Sequence, residues 1–215
     1  MFTWNGKLYG FPWDWGCHIL AYNKDMFDKA GLDYPTDQWS FDDLLVAAQK
    51  LTNAEEGEWG YFGLPTVGHG PQHLGPWGGG WVNDDETECL AATPESIEAL
   101  QWWADLRLEH KVHPMPADQE VLQALGAAPF HTGKVAMTSL PPWSAGEVKE
   151  YADIAWDVTH WPRGPVQRIT GGAGSGYSIG RDTKHPEEAW LYIRWFASKE
   201  GQKFLWGETG TMPFP

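Results

Sequence analysis

The spacing of apolar residues along the chain predicts several helices with recognisable ends. Lys24 to Ala30 is predicted as a short helix, with Asn23 as its N-cap and Gly31 as its C-terminal stop. A second helix is predicted after Ser40, because Ser40 and Asp43 have the spacing of a capping box and apolar residues follow at helical intervals. Both helices are therefore predicted from signals that lie within a few residues of their ends.

A longer helix is predicted from Pro94, with Thr93 as its cap. The period of 3.6 residues predicts that its buried face consists of Ile97, Leu100, Ala104 and Leu108. Shorter helices are predicted at Asp118 to Leu125, at Ala145 to Tyr151, and near Pro186 and Glu200.

Short apolar or alternating stretches between these helices predict strands. They lie at Gly6 to Pro12, Val135 to Thr138, Ile154 to Val158 and Tyr177 to Gly180. The segment from Asn53 to Asp85 is rich in Gly, Pro and His and has no long period, so it is predicted as loop with short strands at best. Strands that alternate with helices indicate an α/β protein.

Composition narrows the class of partner. The chain has 215 residues, which suits one large domain or two small ones. Its formal net charge of −14 disfavours nucleic acid and anionic lipid as partners. No apolar run approaches the roughly 20 residues that span a bilayer, and no export signal follows Met1. Cys17 and Cys89 would pair only in an oxidising compartment, a question that two cysteines leave open.

Tryptophan is the most unusual component, with 15 residues, several of them in Pro- and Gly-rich stretches. A Trp beside Pro or Gly at the end of an element tends to present its ring to another molecule. A sugar fits this surface, because its apolar C–H face packs on indole and its hydroxyls bind carboxylates such as Asp14. A large aromatic core is the alternative. Taken together, the tryptophans in such stretches favour a ligand surface: Trp13, Trp15, Trp77, Trp81 and Trp143.

The sequence gives little support for dinucleotide binding, glycoside hydrolysis or serine-based catalysis. The cluster Gly171 to Gly176 precedes a strand and lacks an acidic partner about 20 residues on, so no dinucleotide cofactor is predicted. Such glycines let the backbone approach a ligand or act as a hinge, and a flexible loop is the alternative. Glycoside hydrolysis needs a second carboxyl group at a fixed separation from Asp14, and the sequence identifies none. No serine nucleophile motif is present.

No metal site is predicted either. Neither histidine pair, His69 with His73 or His110 with His113, forms a His-Glu-x-x-His motif, and the first pair lies in a Gly/Pro-rich loop that cannot fix a face. The acidic run Asp84 to Glu86 lacks the Gly and terminal Glu of a calcium loop, so a solvated turn is expected.

The order of the motifs resembles the solute-binding proteins of carbohydrate ABC importers, the group that includes maltose-binding protein. The resemblance runs through essentially the whole chain, and its main segments are Gly6 to Pro12, Tyr22 to Asp25, Gly133 to Met137, Pro142-Trp143, Gly172 to Ile179 and His185 to Trp190. It implies a periplasmic-binding-protein-like (type II) fold with two α/β lobes, a cleft that closes on the ligand, and no catalysis.

The resemblance also implies the partners and the site. The protein would bind a sugar or oligosaccharide as a monomer, outside the cytoplasm in the periplasm or as a cell-surface lipoprotein, and deliver it to a membrane permease. By position, the residues that would line the cleft are Trp13, Asp14, Trp15, Trp77, Trp81, Trp143, Gly172 and Ser175. The sugar itself is not identified. A glycoside hydrolase, or a receptor of the same fold for a polyamine or peptide, are the alternatives.

The resemblance further divides the chain into lobes. Residues 1–12 would be a crossover strand and a remnant of the first lobe, 13–170 the second lobe, and 171–215 the return crossover with helices of the first lobe. Proteins of this group carry a first-lobe segment and an export signal ahead of the Gly6 strand. We therefore expect a fragment whose gene extends upstream by on the order of 100 residues, including a secretory or lipoprotein signal.

Overall fold

The computed structural model describes residues 2–12, 16–63, 70–124, 128–141, 144, 147–148 and 153–204. They form two compact units. The small unit holds residues 2–12, 16–17, 144 and 172–204, and the large unit holds 18–63, 70–124, 128–141, 147–148 and 153–171. The unit boundaries after residues 17 and 171 lie near the predicted lobe boundaries after 12 and 170. The assignment of the units to lobes stays a prediction, and most of the helix predicted at 145–151 lies outside the described residues.

A three-stranded antiparallel sheet forms the centre of the large unit. Strand β5 (Ile19–Asn23) pairs with β6 (Met137–Leu140) on one side and with β7 (Trp156–Thr159) on the other. Leu20 lies opposite Ser139 and Thr159 and is fully buried. Strands β6 and β7 begin two residues after the predicted starts, and before β6 the residue Val135 makes a parallel bridge to Trp59 instead.

The first two helices have the predicted ends. Helix α1 (Lys24–Ala30) is capped by Asn23, whose side-chain oxygen accepts from the Met26 amide, and it stops at Gly31 with φ of 65°. Helix α2 (Phe41–Leu51) begins with the complete predicted capping box. These local predictions are confirmed, since each depends only on neighbours in sequence.

Helix α4 (Pro94–Leu108) has the predicted Thr93 cap, but the predicted face is only partly buried, with Leu100 half-buried against the core. Ile97 is 54% exposed and Leu108 is also exposed. The buried residues are instead Ser96, Ala99, Trp103 and Leu106. Long-range hydrogen bonds hold this other face inward: the Trp103 indole N–H donates to the His73 carbonyl at 3.0 Å, and the Ser96 hydroxyl donates to the Gly80 carbonyl at 3.1 Å.

The segment from Asn53 to Asp85, which was predicted as loop with short strands at best, contains helical turns. It includes a 3₁₀ turn (Ala54–Glu56), helix α3 (Gly70–Leu74) and a second 3₁₀ turn (Gly75–Trp77). The prediction failed because a helix of five residues shows no period, so its formation depends on packing against α4. Helix α5 (Pro116–Ala124) starts two residues before its predicted position, and a 3₁₀ turn follows at Pro129–Thr132.

The core of the large unit is strongly aromatic. The ring of Phe41 lies 4.8–5.9 Å, centroid to centroid, from four indoles: those of Trp77, Trp102, Trp103 and Trp161. Trp103 and Trp161 are almost fully buried. Much of the tryptophan content is therefore explained by the core, which was the alternative interpretation of the sequence.

The small unit consists of short strand pairs and two helices. Strand β1 (Thr3–Trp4) pairs with β2 (Lys7–Leu8), β3 (Phe11–Pro12) with β9 (Gly176–Tyr177), and β4 (Gly16–Cys17) with β8 (Gly172–Ala173). The continuous strand predicted at 6–12 is therefore wrong, because Lys7–Leu8 turn back on β1 while Phe11–Pro12 pair elsewhere. Helices α6 (Pro186–Phe196) and α7 (Lys199–Gln202) confirm the predicted C-terminal helices. The described residues are thus mixed α/β, and none of their helices has the length and apolarity needed to cross a membrane.

Candidate functional site

Half of the predicted site residues lie outside the described part of the chain: Trp13, Asp14, Trp15 and Trp143. The structure places Trp77 and Trp81 in the large unit, and Gly172 and Ser175 in the small unit. The ligand-binding role of all these residues stays a prediction. The surroundings of the four described residues nevertheless differ in ways that bear on it.

Trp77 is a core residue. It ends the Gly75–Trp77 turn and is only 5% exposed. Its ring centroid lies 4.8 Å from that of Phe41 and 5.5 Å from that of Trp102. The Gly/Pro-rich sequence around it therefore serves to insert the indole into the core, and this burial favours the core interpretation over the ligand-binding one.

Trp81 keeps the features expected of a site residue. It is half-buried and packs against the edge of the same core. Its carbonyl accepts from the Leu90 amide at 2.9 Å, and Val82 bridges Cys89 next to it, so the backbone is held in a hairpin. The indole Nε1 is buried and has no hydrogen-bond partner. A buried N–H without an acceptor costs about 1–3 kcal/mol, and an acceptor on a bound molecule would recover part of this cost.

Gly172 and Ser175 are accessible in the small unit. Gly172 pairs with Cys17 in the β4–β8 ladder and is exposed. Ser175 is exposed in the segment between β8 and β9. Both residues are therefore exposed in this unit, and their ligand-binding role stays a prediction.

A buried polar cluster at the start of β5 was missed by the sequence analysis. Ser139 Oγ lies 2.8 Å from His18 Nδ1 and accepts a long bond from Gln72 Nε2 at 3.5 Å. Gln72 is fully buried and its Oε1 has no partner. This atom lies so close to Gly171 that a Cβ there would approach it to 2.4 Å. The only signal in the sequence was the glycine cluster, since the polar residues are far apart along the chain.

His113 is engaged in structural contacts. His113 Nε2 accepts from the Gly63 amide at 3.1 Å, so Nδ1 carries the proton and donates to the Pro114 carbonyl at 2.9 Å. Burial, together with the nearby Arg107 guanidinium, lowers the pKa of His113 to about 4, so the ring is neutral at pH 7. Within the described residues, no group of three or more His, Cys, Asp or Glu side chains is arranged to hold a metal ion. Cys17 and Cys89 are exposed free thiols.

Comparison with known proteins identifies the family. Residues 1–215 match the family model described as bacterial extracellular solute-binding protein. The ABC substrate-binding protein from Listeria monocytogenes in complex with cycloalternan superposes with a TM-score of 0.85 at 29% identity, covering 99% of this chain and 54% of that one. This similarity confirms the predicted periplasmic-binding-protein fold.

Two curated relatives show the range of solutes. The arabinooligosaccharide-binding protein of Halalkalibacterium halodurans is 26% identical over 97% of this chain and 48% of its own length. The sn-glycerol-3-phosphate-binding periplasmic protein of Escherichia coli is 24% identical over 97% and 49%, respectively. The chain thus spans about half the length of the relatives it matches. These are binding proteins and not enzymes, so the glycoside hydrolase alternative is not retained. The chain belongs to the bacterial extracellular solute-binding protein family.

Proposed function

We propose that this chain is the solute-binding portion of a receptor that delivers a sugar or oligosaccharide to an ABC importer without chemical change. The observation that carries the proposal is the 29% identity, over 99% of the chain, to a substrate-binding protein in complex with cycloalternan. The relative that binds arabinooligosaccharides supports the same class of solute. The receptor would act as a monomer outside the cytoplasm, in the periplasm or as a lipoprotein, and its protein partner would be the membrane permease.

The proposed binding surface combines indoles with a few polar groups. Trp13, Trp15, Trp81 and Trp143 would stack on the apolar faces of the sugar, while Asp14 would accept hydrogen bonds from its hydroxyls. Trp81 has the firmest physical support, because the core holds its ring from behind while its buried N–H lacks an acceptor. Gly172 and Ser175 would contribute backbone and hydroxyl groups. Trp77 is assigned to the core and is not part of the proposed surface.

An anionic phosphorylated solute is the second candidate, because one relative binds sn-glycerol-3-phosphate. The formal net charge of −14 disfavours it, since an acidic protein attracts an anionic solute poorly at long range. A neutral sugar has no such penalty. The negative net charge of the chain therefore favours a neutral sugar over glycerol phosphate as the solute.

The test is a binding screen on the protein expressed from its natural reading frame. Arabinooligosaccharides, malto-oligosaccharides, cycloalternan and sn-glycerol-3-phosphate are each titrated by calorimetry, and each solute is analysed by chromatography after incubation. The proposal predicts stoichiometric binding of at least one sugar, which is recovered intact. Binding of glycerol phosphate alone, failure of every sugar to bind, or the appearance of a cleavage product would each overturn it.

A further inference from the structure

The turn that joins strands β1 and β2 consists of the dipeptide Asn5-Gly6. Trp4 pairs with Lys7 on either side of it, so the loop has two residues. Both loop residues have a positive φ angle, 47° at Asn5 and 74° at Gly6. Positive φ at both positions is the conformation of a type I′ hairpin turn, for which Asn-Gly is a preferred sequence. The dipeptide that closes the hairpin therefore also places an asparagine amide next to a glycine nitrogen.

The surroundings of this turn leave both groups accessible. The Asn5 side chain is exposed, and it makes no hydrogen bond within the part of the chain that the structure describes. Gly6 is exposed as well, and the position that a Cβ would occupy there is surrounded by open space. Each strand of the hairpin has only two residues, both exposed, and a hairpin this short opens readily in water. The side-chain carbon Cγ of Asn5 and the backbone nitrogen of Gly6 can therefore approach each other.

The other three asparagines of the chain each lack at least one of these features. Asn23 is 1% exposed, and its side chain caps helix α1. Asn83 is half-buried, and its Oδ1 accepts a hydrogen bond from the Thr87 amide at 2.8 Å. Asn53 is exposed, but Ala54 follows it, and an alanine has a Cβ and less backbone freedom than a glycine. Exposure, an unengaged amide and a following glycine are combined only at Asn5.

We propose that Asn5 is a site of spontaneous deamidation, with water as the co-reactant. The backbone nitrogen of Gly6 attacks Cγ of Asn5 and forms a C–N bond, and its proton leaves with the amide nitrogen of Asn5 as ammonia. The product is a five-membered imide, in which the Gly6 nitrogen is bonded to both carbonyl carbons of residue 5. Water then opens the ring at Cγ to give aspartate, or at the main-chain carbonyl carbon to give isoaspartate.

Both products alter the hairpin. Each adds one carboxylate to a chain whose formal net charge is −14. Isoaspartate also adds one carbon to the backbone between Trp4 and Gly6, because the chain then runs through the side chain of residue 5. A two-residue loop with an extra backbone atom no longer fits the register of Trp4 with Lys7. The modification accumulates with the age of the protein and does not depend on the identity of the solute.

The test follows all four asparagines in one sample. The purified protein, expressed from its natural reading frame, is incubated at neutral and at mildly alkaline pH, and the peptides that contain the asparagines are weighed by mass spectrometry over time. We expect the Asn5 peptide to gain one mass unit at least about fivefold faster than the Asn53 peptide, because Gly6 gives the reacting backbone more freedom than Ala54 does. The rate should rise with pH, since the attacking nitrogen must lose its proton.

A matched variant assigns the reaction to this turn. Asn5→Gly removes the amide and keeps a residue that adopts positive φ, so the hairpin is retained. It should abolish the mass gain of this peptide without lowering Tm, together with most of the isoaspartate, which is measured by enzymatic methylation of its free α-carboxylate. An Asn5 peptide that keeps its mass, a conversion no faster than that of the Asn53 peptide, or an undiminished isoaspartate signal in Asn5→Gly would each overturn the proposal.

Discussion

Replacement of Trp77 by Ala separates a core role from a ligand-binding role. The indole is 5% exposed, and its centroid lies 4.8 Å from that of Phe41. A buried aromatic ring removes about 150–250 Å² from water, which at about 25 cal/mol per Å² corresponds to roughly 4–6 kcal/mol as an upper bound. Partial collapse of the cavity brings the expected loss to about 3–5 kcal/mol.

The assay combines thermal unfolding with a solute titration at a temperature where the variant is still folded. A loss of that size corresponds to a fall in Tm of roughly 6–20 °C for a protein of this size. Leu108→Ala, at the exposed end of α4, is the control and should change the free energy of unfolding by less than about 0.5 kcal/mol. We expect the affinity of the folded Trp77 variant to match that of the wild type. A Tm within about 2 °C of the wild type, together with a loss of affinity of about tenfold or more, would refute the core interpretation.

The remaining predictions use the same two measurements and a pH series. Trp81→Phe removes an indole N–H that has no partner, so Tm should stay constant or rise while sugar affinity falls; a fall in Tm with unchanged affinity would contradict the proposed role. Gly60→Ala should lower the free energy of unfolding by roughly 2–4 kcal/mol, because its Cβ would lie 2.1 Å from the Ala48 carbonyl oxygen. The urea midpoint should fall accordingly, and an unchanged midpoint would contradict the close approach. The pKa of His113 is about 4 in the folded state against 6.5 as its ordinary value, so the unfolded state binds more protons as the pH falls from 6.5 to 4. Stability should therefore fall over that range by on the order of 3 kcal/mol, and His113→Phe should flatten this dependence; identical pH profiles would argue against it. Trp143→Ala is expected to cost about 1–3 kcal/mol of sugar affinity with little change in Tm, whereas a large fall in Tm would assign Trp143 to the core.

The sequence alone determined the ends of several helices. The Asn23 cap, the Gly31 stop and the capping box at Ser40 are all present as predicted. Each depends on hydrogen bonds or backbone angles within about four residues, so the local sequence contains all the necessary information. The order of the motifs likewise sufficed to predict the family, because it is a property of the chain and not of any contact.

The site was predictable only in part, because tryptophans with the same Gly/Pro-rich sequence neighbours have different environments in the folded structure. Trp77 is inserted into the aromatic core, whereas Trp81, four positions on, is half-buried with an unpaired N–H. The buried cluster of His18, Gln72 and Ser139 gave no sequence signal apart from the nearby glycine cluster, since its members meet only through the sheet and the packing of α3. Neighbouring residues do not encode which side of an indole meets the core.

Tertiary structure also decided which face of α4 is buried. The stripe with Ile97 and the stripe with Trp103 both have helical spacing, so the period of 3.6 residues admits either. The choice was made by partners distant in sequence, the carbonyls of His73 and Gly80, to which Trp103 and Ser96 donate hydrogen bonds. The sequence determines where a helix begins and ends through local bonds, whereas the direction it faces depends on contacts that exist only once the chain has folded.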